Sequence, residues 1–217
     1  MRFVRRSTSD DSFRLTLAVR SLSEGFTDTE RIVTVAPPIT TQLLQRVAWP
    51  SDLTTPDGDA MIIRETPHRF SRLSFHRAMI GRRLPILLTA AGRAYFATCP
   101  DEEREDILEL LRSGAGGEEQ QAFAKNDALV RKLIQRARED GFGSNNGGWT
   151  AQARIGAVAV AISADERVIA SLNVVFLSRA VSLEDVTRRY VPELQKAALD
   201  IAEALRQEPA TCPHVST

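Results

Sequence analysis

The sequence predicts an α/β chain of the α+β kind, with helices packed around an antiparallel sheet and a long helix closing the structure. Three observations predict it. Two nearly continuous apolar runs, 155–163 (IGAVAVAIS) and 168–177 (VIASLNVVFL), are divided only by Ala164-Asp165-Glu166-Arg167, and such runs belong at the centre of a sheet covered on both faces. Behind them, Leu183, Val186, Tyr190, Leu194, Ala198, Ile201 and Leu205 keep helical spacing to Arg206. The middle of the chain alternates helical patterns with cap and stop residues. The composition agrees: 217 residues, 43% hydrophobic and 26% charged, are ordinary for a globular chain and exclude a collagenous or disordered one.

Element by element, residues 2–6 and 12–17 read as short strands around the polar turn Ser7-Thr8-Ser9-Asp10-Asp11, flanked by Arg2, Arg5, Arg6 and Arg14. Such a hairpin is too small to bury a core of its own. A short helix with Leu15, Val19 and Leu22 in phase follows, stopped by Gly25. From Glu30 to Val47 the helical period returns, with a break or fresh start expected at Pro37-Pro38. Strands are expected at 52–55 and 60–66 around Pro56-Asp57-Gly58-Asp59, and an imperfect third at 69–78. Helices come next: 89–99, small and apolar; one capped by Asp101 that stops before Gly114; and one capped by Asn126 and ended by Gly141. Ser182 with Asp185 resembles a capping box for the last helix, in which Pro192 marks a break or a new first turn. Residues 208–217 carry no periodicity and are expected to be disordered.

Charge and motifs narrow the function classes. The chain balances 28 basic against 28 acidic residues, so no global field draws it to nucleic acid or membrane. All but three of the basic residues are arginine (the lysines are Lys125, Lys132 and Lys196), which fits either a G+C-rich genome or selection for planar bidentate contacts. No run of 18 apolar residues exists to span a bilayer, and the basic start lacks the apolar core of a signal peptide; the expectation is a soluble cytoplasmic protein. Cys99 and Cys212 are too few for a disulfide or zinc framework, and His68, His76 and His214 lack ligand spacing, so neither metal nor cofactor is expected. Nucleophile elbow, phosphate loop and metalloprotease motifs are missing, and no enzyme is expected.

What remains is a pocket. A helix starting at Thr89-Ala90-Ala91-Gly92 offers unpaired N–H groups and the positive end of a dipole, with side chains small enough for an anion to approach. The same small residues equally suit close packing of the helix on the sheet. Asn145, Asn146, Trp149 and Asn173 are candidate hydrogen-bonding and aromatic walls. Asn173 is the most informative, because an amide inside an apolar strand costs about 1–3 kcal/mol if left unpaired.

These residues carry a resemblance. The run from Gly81-Arg82-Arg83-Leu84-Pro85 through Thr89-Ala90-Ala91-Gly92-Arg93-Ala94-Tyr95 to Cys99-Pro100-Asp101-Glu102-Glu103-Arg104 resembles the effector-domain signature of the IclR family of bacterial transcriptional regulators. Residues 4–16 are similar to the wing of that family's winged helix-turn-helix. His68 to Arg77 and Gly141 to Trp149 resemble the branch that activates 3-(3-hydroxyphenyl)propionate catabolism. The resemblance implies a GAF/profilin-like antiparallel sheet flanked by helices, preceded by a residual wing hairpin. It divides the chain into a wing remnant at 1–16, a linker helix at 17–28, an effector-binding domain at 29–207 and a tail at 208–217.

It further implies a homodimer or tetramer and a small aromatic carboxylate effector. The ligand shell it implies is Ala90, Ala91, Asn145, Ala153, Ile155, Asn173 and Val175, with Gly92 completing the helix start. In this picture the carboxylate meets the backbone N–H groups at Ala90 and Ala91, and Asn145 or Asn173 takes a phenolic hydroxyl. Asparagine at 145 stands where other members carry aspartate, and Ile155 and Val175 stand where they carry polar or sulfur side chains, which suits a drier pocket. Arg2, Arg5, Arg6 and Arg14 would touch phosphates, but the helix that reads bases precedes the wing and is not in this sequence. Operator DNA is therefore expected only where that motif is present; the alternative is a stand-alone effector and dimerisation domain that modulates a full-length regulator.

Overall fold

The computed structural model describes residues 4–6, 13–15, 18–67, 70, 71, 73 and 79–207, with side chains from residue 30 onward. Strands β1 (Val4–Arg6) and β2 (Phe13–Leu15) form an antiparallel hairpin. Helix α1 (Ala18–Val47) leads to β3 (Ser51–Asp57), β4 (Ala60–Glu65) and β5 (Arg83–Pro85). Four helices follow: α2 (Ala90–Thr98), α3 (Asp101–Arg112), α4 (Glu118–Ala124) and α5 (Asp127–Asp140). Strands β6 (Gly143–Asn146), β7 (Ile155–Ala164) and β8 (Arg167–Leu177) then precede the closing helix α6 (Leu183–Gln207). The six strands β3–β8 make one antiparallel sheet in the order β5-β4-β3-β8-β7-β6.

Both apolar runs near the C-terminus are strands, and their register sorts side chains by size. Val158, Val160 and Ile162 of β7 stand beside Val174, Leu172 and Ala170 of β8, and this bulky face meets α1 and α6. On α1 the buried stripe is Ile32, Ala36, Thr40, Leu43 and Val47; on α6 it includes Val186, Leu194, Ile201 and Leu205. The opposite face carries Ala157, Ala159 and Ala161 beside Val175, Asn173 and Ser171. There α2 lies with its own small residues, Ala90, Ala91 and Ala94, against Ala157 and Ala159. Alanine on alanine lets the helix axis sit close to the sheet, and two glycines make the approach possible. A Cβ on Gly92 would lie 2.0 Å from the Ile86 carbonyl oxygen, and one on Gly143 would lie 2.3 Å from that of Ala90.

Several expectations need correction. Helix α1 is one 30-residue helix through Gly25 and Pro37-Pro38, because the stripe from Ile32 to Val47 docks on the sheet on both sides of the prolines. Pro192 likewise lies inside α6. Helix α3 begins after Pro100, with Asp101, Glu102 and Glu103 in its first turn, where they complement the dipole. Phe70 and Leu73, the described apolar members of the third strand candidate, are exposed and lie in turns; β5 is the strand that borders β4. The cap at Asn126 is as expected: its side chain accepts from Leu129 N–H at 3.1 Å, and Gly141 ends α5 in the left-handed region. Ser182 Oγ accepts from Asp185 N–H and donates to its carboxylate, closing the box at α6. The turn at 7–12, Arg2, the three histidines and residues 208–217 lie outside the described residues, as do the side chains of Arg5, Arg6 and Arg14.

Candidate effector cavity at the start of helix α2

The chain brings Thr89 and Ala90 of the α2 start, Asp52 of β3, Asn173 and Val175 of β8, Asn145 of β6, and Ile155 and Ala157 of β7 around one cavity. Met79, Leu84, Trp149 and Gln152 complete its lining. The cavity measures about 40 Å³, room for a few waters at roughly 10–15 Å³ each. Its walls are apolar apart from convergent amides, one carboxylate and the cap of α2, the pattern of a small-molecule site. A larger open groove of about 600 Å³ runs along Ala94, Ala137, Ala198 and Leu199, but it lacks converging buried polar groups. Chemistry, not size, singles out the smaller cavity.

The two asparagines are fixed by the backbone. Asn173, 3% exposed, accepts the Asp52 N–H on Oδ1 at 2.8 Å. Asn145, 6% exposed, accepts the Gly148 N–H on its Oδ1 at 2.9 Å. A backbone N–H only donates, so the atom receiving it must be the amide oxygen, and the orientation of each side chain follows. Each then has its Nδ2 left as a donor, with no partner among the described residues. Asp52 pairs with Asn173 across β3 and β8 and supplies a buried carboxylate to the same lining.

The α2 start is less open than its sequence suggests. Thr89 is the N-cap: its Oγ accepts from Gly92 N–H at 3.3 Å and donates to the Pro85 carbonyl at 2.8 Å. Ala91 is fully buried, and its carbonyl accepts the Ser171 hydroxyl at 2.8 Å. Of the candidate residues, Ala90, Asn145, Ile155, Asn173 and Val175 therefore share the cavity. Ala91 and Gly92 pack the helix instead, and Ala153 is exposed outside the lining. Sequence reasoning passed over Asp52, Met79, Leu84, Gln152 and Ala157. The period-2 alternation of β8 from Asn173, extended to its β7 partners, would have found Ala157; nothing local marks Met79.

Beyond the cavity, the α2–α3 corner is held by a buried arginine. Arg104 donates to the carbonyls of Phe96 at 2.9 Å and Cys99 at 2.5 Å, and pairs with Asp101. Cys99 is buried beside it, and burial pushes its thiol up to about 11. It packs as a small hydrophobe rather than serving as a nucleophile. Tyr95 is held neutral far above the usual phenol range by burial and by its hydrogen bond to Glu103. Among the described residues no helix is long and apolar enough to cross a membrane.

The comparisons fit this architecture. Over 81% of this chain and 98% of its own, the C-terminal domain of the transcriptional regulator KdgR from E. coli superposes with a TM-score of 0.64 at 24% identity. An IclR family transcriptional regulator from Brucella abortus matches at TM-score 0.67 and 22% identity, covering 93% of this chain and 74% of that one. An IclR homolog from Microbacterium hydrocarbonoxydans, solved in complex with 4-hydroxybenzoate, matches at TM-score 0.62 and 26% identity over 95% and 80%. Residues 25–203 match the family described as bacterial transcriptional regulator IclR, C-terminal. By that match, spanning most of the sequence and all six strands of the main sheet, the chain belongs to the IclR family of bacterial transcriptional regulators.

Proposed function

We propose that this chain is the sensing part of a regulator of aromatic-acid catabolism and that its effector is a small aromatic carboxylate held in the α2 cavity. The observation that carries the reading is the pair of asparagine amides, each fixed by a backbone N–H so that its Nδ2 is left to donate in an otherwise apolar cavity. Two converging N–H donors beside a helix start suit a carboxylate, and the walls of Leu84, Ile155, Ala157 and Val175 suit a ring. This placement moves the carboxylate from the backbone N–H groups of Ala90 and Ala91, of which only Ala90 lines the cavity, to the side chains of Asn145 and Asn173. A hydroxyl on the ring then has Gln152 as its partner. The 4-hydroxybenzoate complex of the Microbacterium homolog supports the ligand class.

An aromatic acid is larger than the cavity, so its entry displaces the partly exposed rim formed by Trp149, Gln152 and Ile155. Effector binding then selects an arrangement of β6 and the 147–154 segment that the regulator transmits to its DNA-reading part. Residues 1–16 serve as wing and 17–28 as linker in this reading; the register of Arg5 against Arg14 sets basic residues side by side on the hairpin for phosphate contact. The active form is a homodimer or tetramer. Fluorescence titration tests the proposal, because the chain has two tryptophans and the other, Trp49, is buried on the far face of the sheet. Adding 4-hydroxybenzoate or 3-phenylpropionate should change the emission saturably, and Trp149→Phe should abolish the change. Emission insensitive to every aromatic acid would refute the reading.

A further inference from the structure

Next to the cavity, a cleft of about 250 Å³ opens between Arg93 of α2, Phe123 of α4, Lys132 and Arg136 of α5, and Phe142 and Ser144 at β6. Its charge is unbalanced. Arg93 spends its hydrogen bonds on neutral carbonyls, Nε to Leu87 and Nη1 to Ser144, both at 2.8 Å, and its guanidinium lies 5.9 Å from the Phe123 ring centre. Neither Arg93 nor Lys132 has an ion pair with a described residue. Among the described residues Arg136 pairs only with Asp140, at 3.4 Å on the exposed side. Burial lowers the pKa of Arg93, and the neighbouring Arg136 lowers it further. Lys132 and Arg136 are like charges at i,i+4, a spacing that costs helix stability unless something else compensates it. Glu184 at the start of α6 lines an adjoining opening together with Arg136 and Phe142, and no acid is among the residues that line this cleft.

We propose that the cleft is a second binding site, for a small organic anion with an apolar body. Three cations line the cleft, and of these Arg136 alone has a carboxylate partner among the described residues; together they supply the attraction. Phe123, Phe142 and Leu133 supply apolar walls, and the half-buried Arg93 supplies a planar donor already oriented by its two carbonyl bonds. The site also touches the first cavity, since Arg93 holds the carbonyl of Ser144, the residue before Asn145. The inference stands on this cleft alone and does not depend on the effector reading.

The test uses phenyl phosphate as probe and inorganic phosphate as the bare-anion control, followed by ¹H–¹⁵N NMR of the whole chain. Phenyl phosphate should saturably shift the Arg93 Nε–H and the Ser144 amide. Its affinity should fall at least tenfold in Lys132→Glu/Arg136→Glu, a change confined to exposed side chains, and remain unchanged in Ala157→Phe, which fills the other cavity. Inorganic phosphate should bind at least tenfold more weakly. A silent Arg93, affinity that survives the charge reversal, inorganic phosphate binding as tightly, or probe shifts confined to Asn173 and its neighbours would each overturn the proposal. The last readout distinguishes the two sites in the unaltered protein even if Ala157→Phe does not fold.

Discussion

Asn145→Asp is the sharpest probe of the α2 cavity because it changes one atom's chemistry and almost no volume. The new carboxylate keeps the oxygen that accepts the Gly148 N–H at 2.9 Å, so the turn after β6 loses nothing. The Nδ2 donor, however, becomes an acceptor. A carboxylate ligand loses a charge-assisted hydrogen bond worth about 1.5–3 kcal/mol, which is roughly a 10- to 150-fold loss of affinity. Repulsion adds to this: two unit charges about 4 Å apart interact by about 4 kcal/mol at an effective dielectric of 20, an upper limit that protonation of either group relieves. Folding stability should fall as well, because a carboxylate at a position only 6% exposed loses its hydration without gaining a cation. Calorimetric titration at neutral pH with 3-phenylpropionate and with its neutral amide separates the effects. The acid should lose at least tenfold and the amide much less. Equal affinity of wild type and variant for the acid would refute the placement of the carboxylate at Asn145.

Other consequences follow from the packing around the site. Gly92→Ala should destabilise the fold by about 2–4 kcal/mol in denaturant unfolding, since its Cβ meets the Ile86 carbonyl at 2.0 Å, where only backbone could yield; a loss below 1 kcal/mol would contradict the close approach of α2. Ser171→Ala leaves the buried Ala91 carbonyl without its hydroxyl partner and should cost about 1 kcal/mol by the same measurement, with effector affinity little changed because Ala91 is outside the cavity. Stability should also fall in alkali. The folded thiol of Cys99 titrates near 11, above the ordinary 9.0, so its contribution is complete below pH 9 and is lost as pH rises toward 11. This amounts to about 1.4 kcal/mol per pH unit within that window. Cys99→Ala should flatten the slope by one proton per molecule, while the raised Tyr95 leaves a residual decline.

The parts of the fold visible in the sequence are those where one face of an element dominates. β7 and β8 are buried on both faces, and α5 and α6 carry stripes bounded by Asn126, Gly141 and Ser182. Elements defined by their partners were not visible. β6 is Gly143-Ser-Asn-Asn, a loop by composition, and is a strand because β7 pairs with it from Gly156 to Ala159. β5 ends in Pro85, which an edge strand tolerates. Prolines 37 and 38 signalled a break that docking on the sheet overrides. The site divides in the same way. Asn173 stands out as an amide in an apolar strand, whereas Asp52 lines the candidate cavity because register sets it opposite Asn173. The small residues at the α2 start have two readings, anion site or close packing; Ala90, Ala91 and Ala94 pack on the sheet, and Ala90 also lines the candidate cavity.

The most direct test of the central claim is thermal denaturation against a panel of aromatic and short aliphatic carboxylates, run in parallel on wild type and Ala157→Phe. A ligand at 100 times its dissociation constant adds about 2.7 kcal/mol, which for a chain of this size raises Tm by roughly 5–10 °C. The account predicts that shift for 4-hydroxybenzoate and phenylpropionates, little or none for pyruvate, and its loss in Ala157→Phe, where the added ring fills the cavity. Stabilisation by pyruvate rather than the aromatic acids, an equal shift in the filled variant, or no shift with any acid would contradict it.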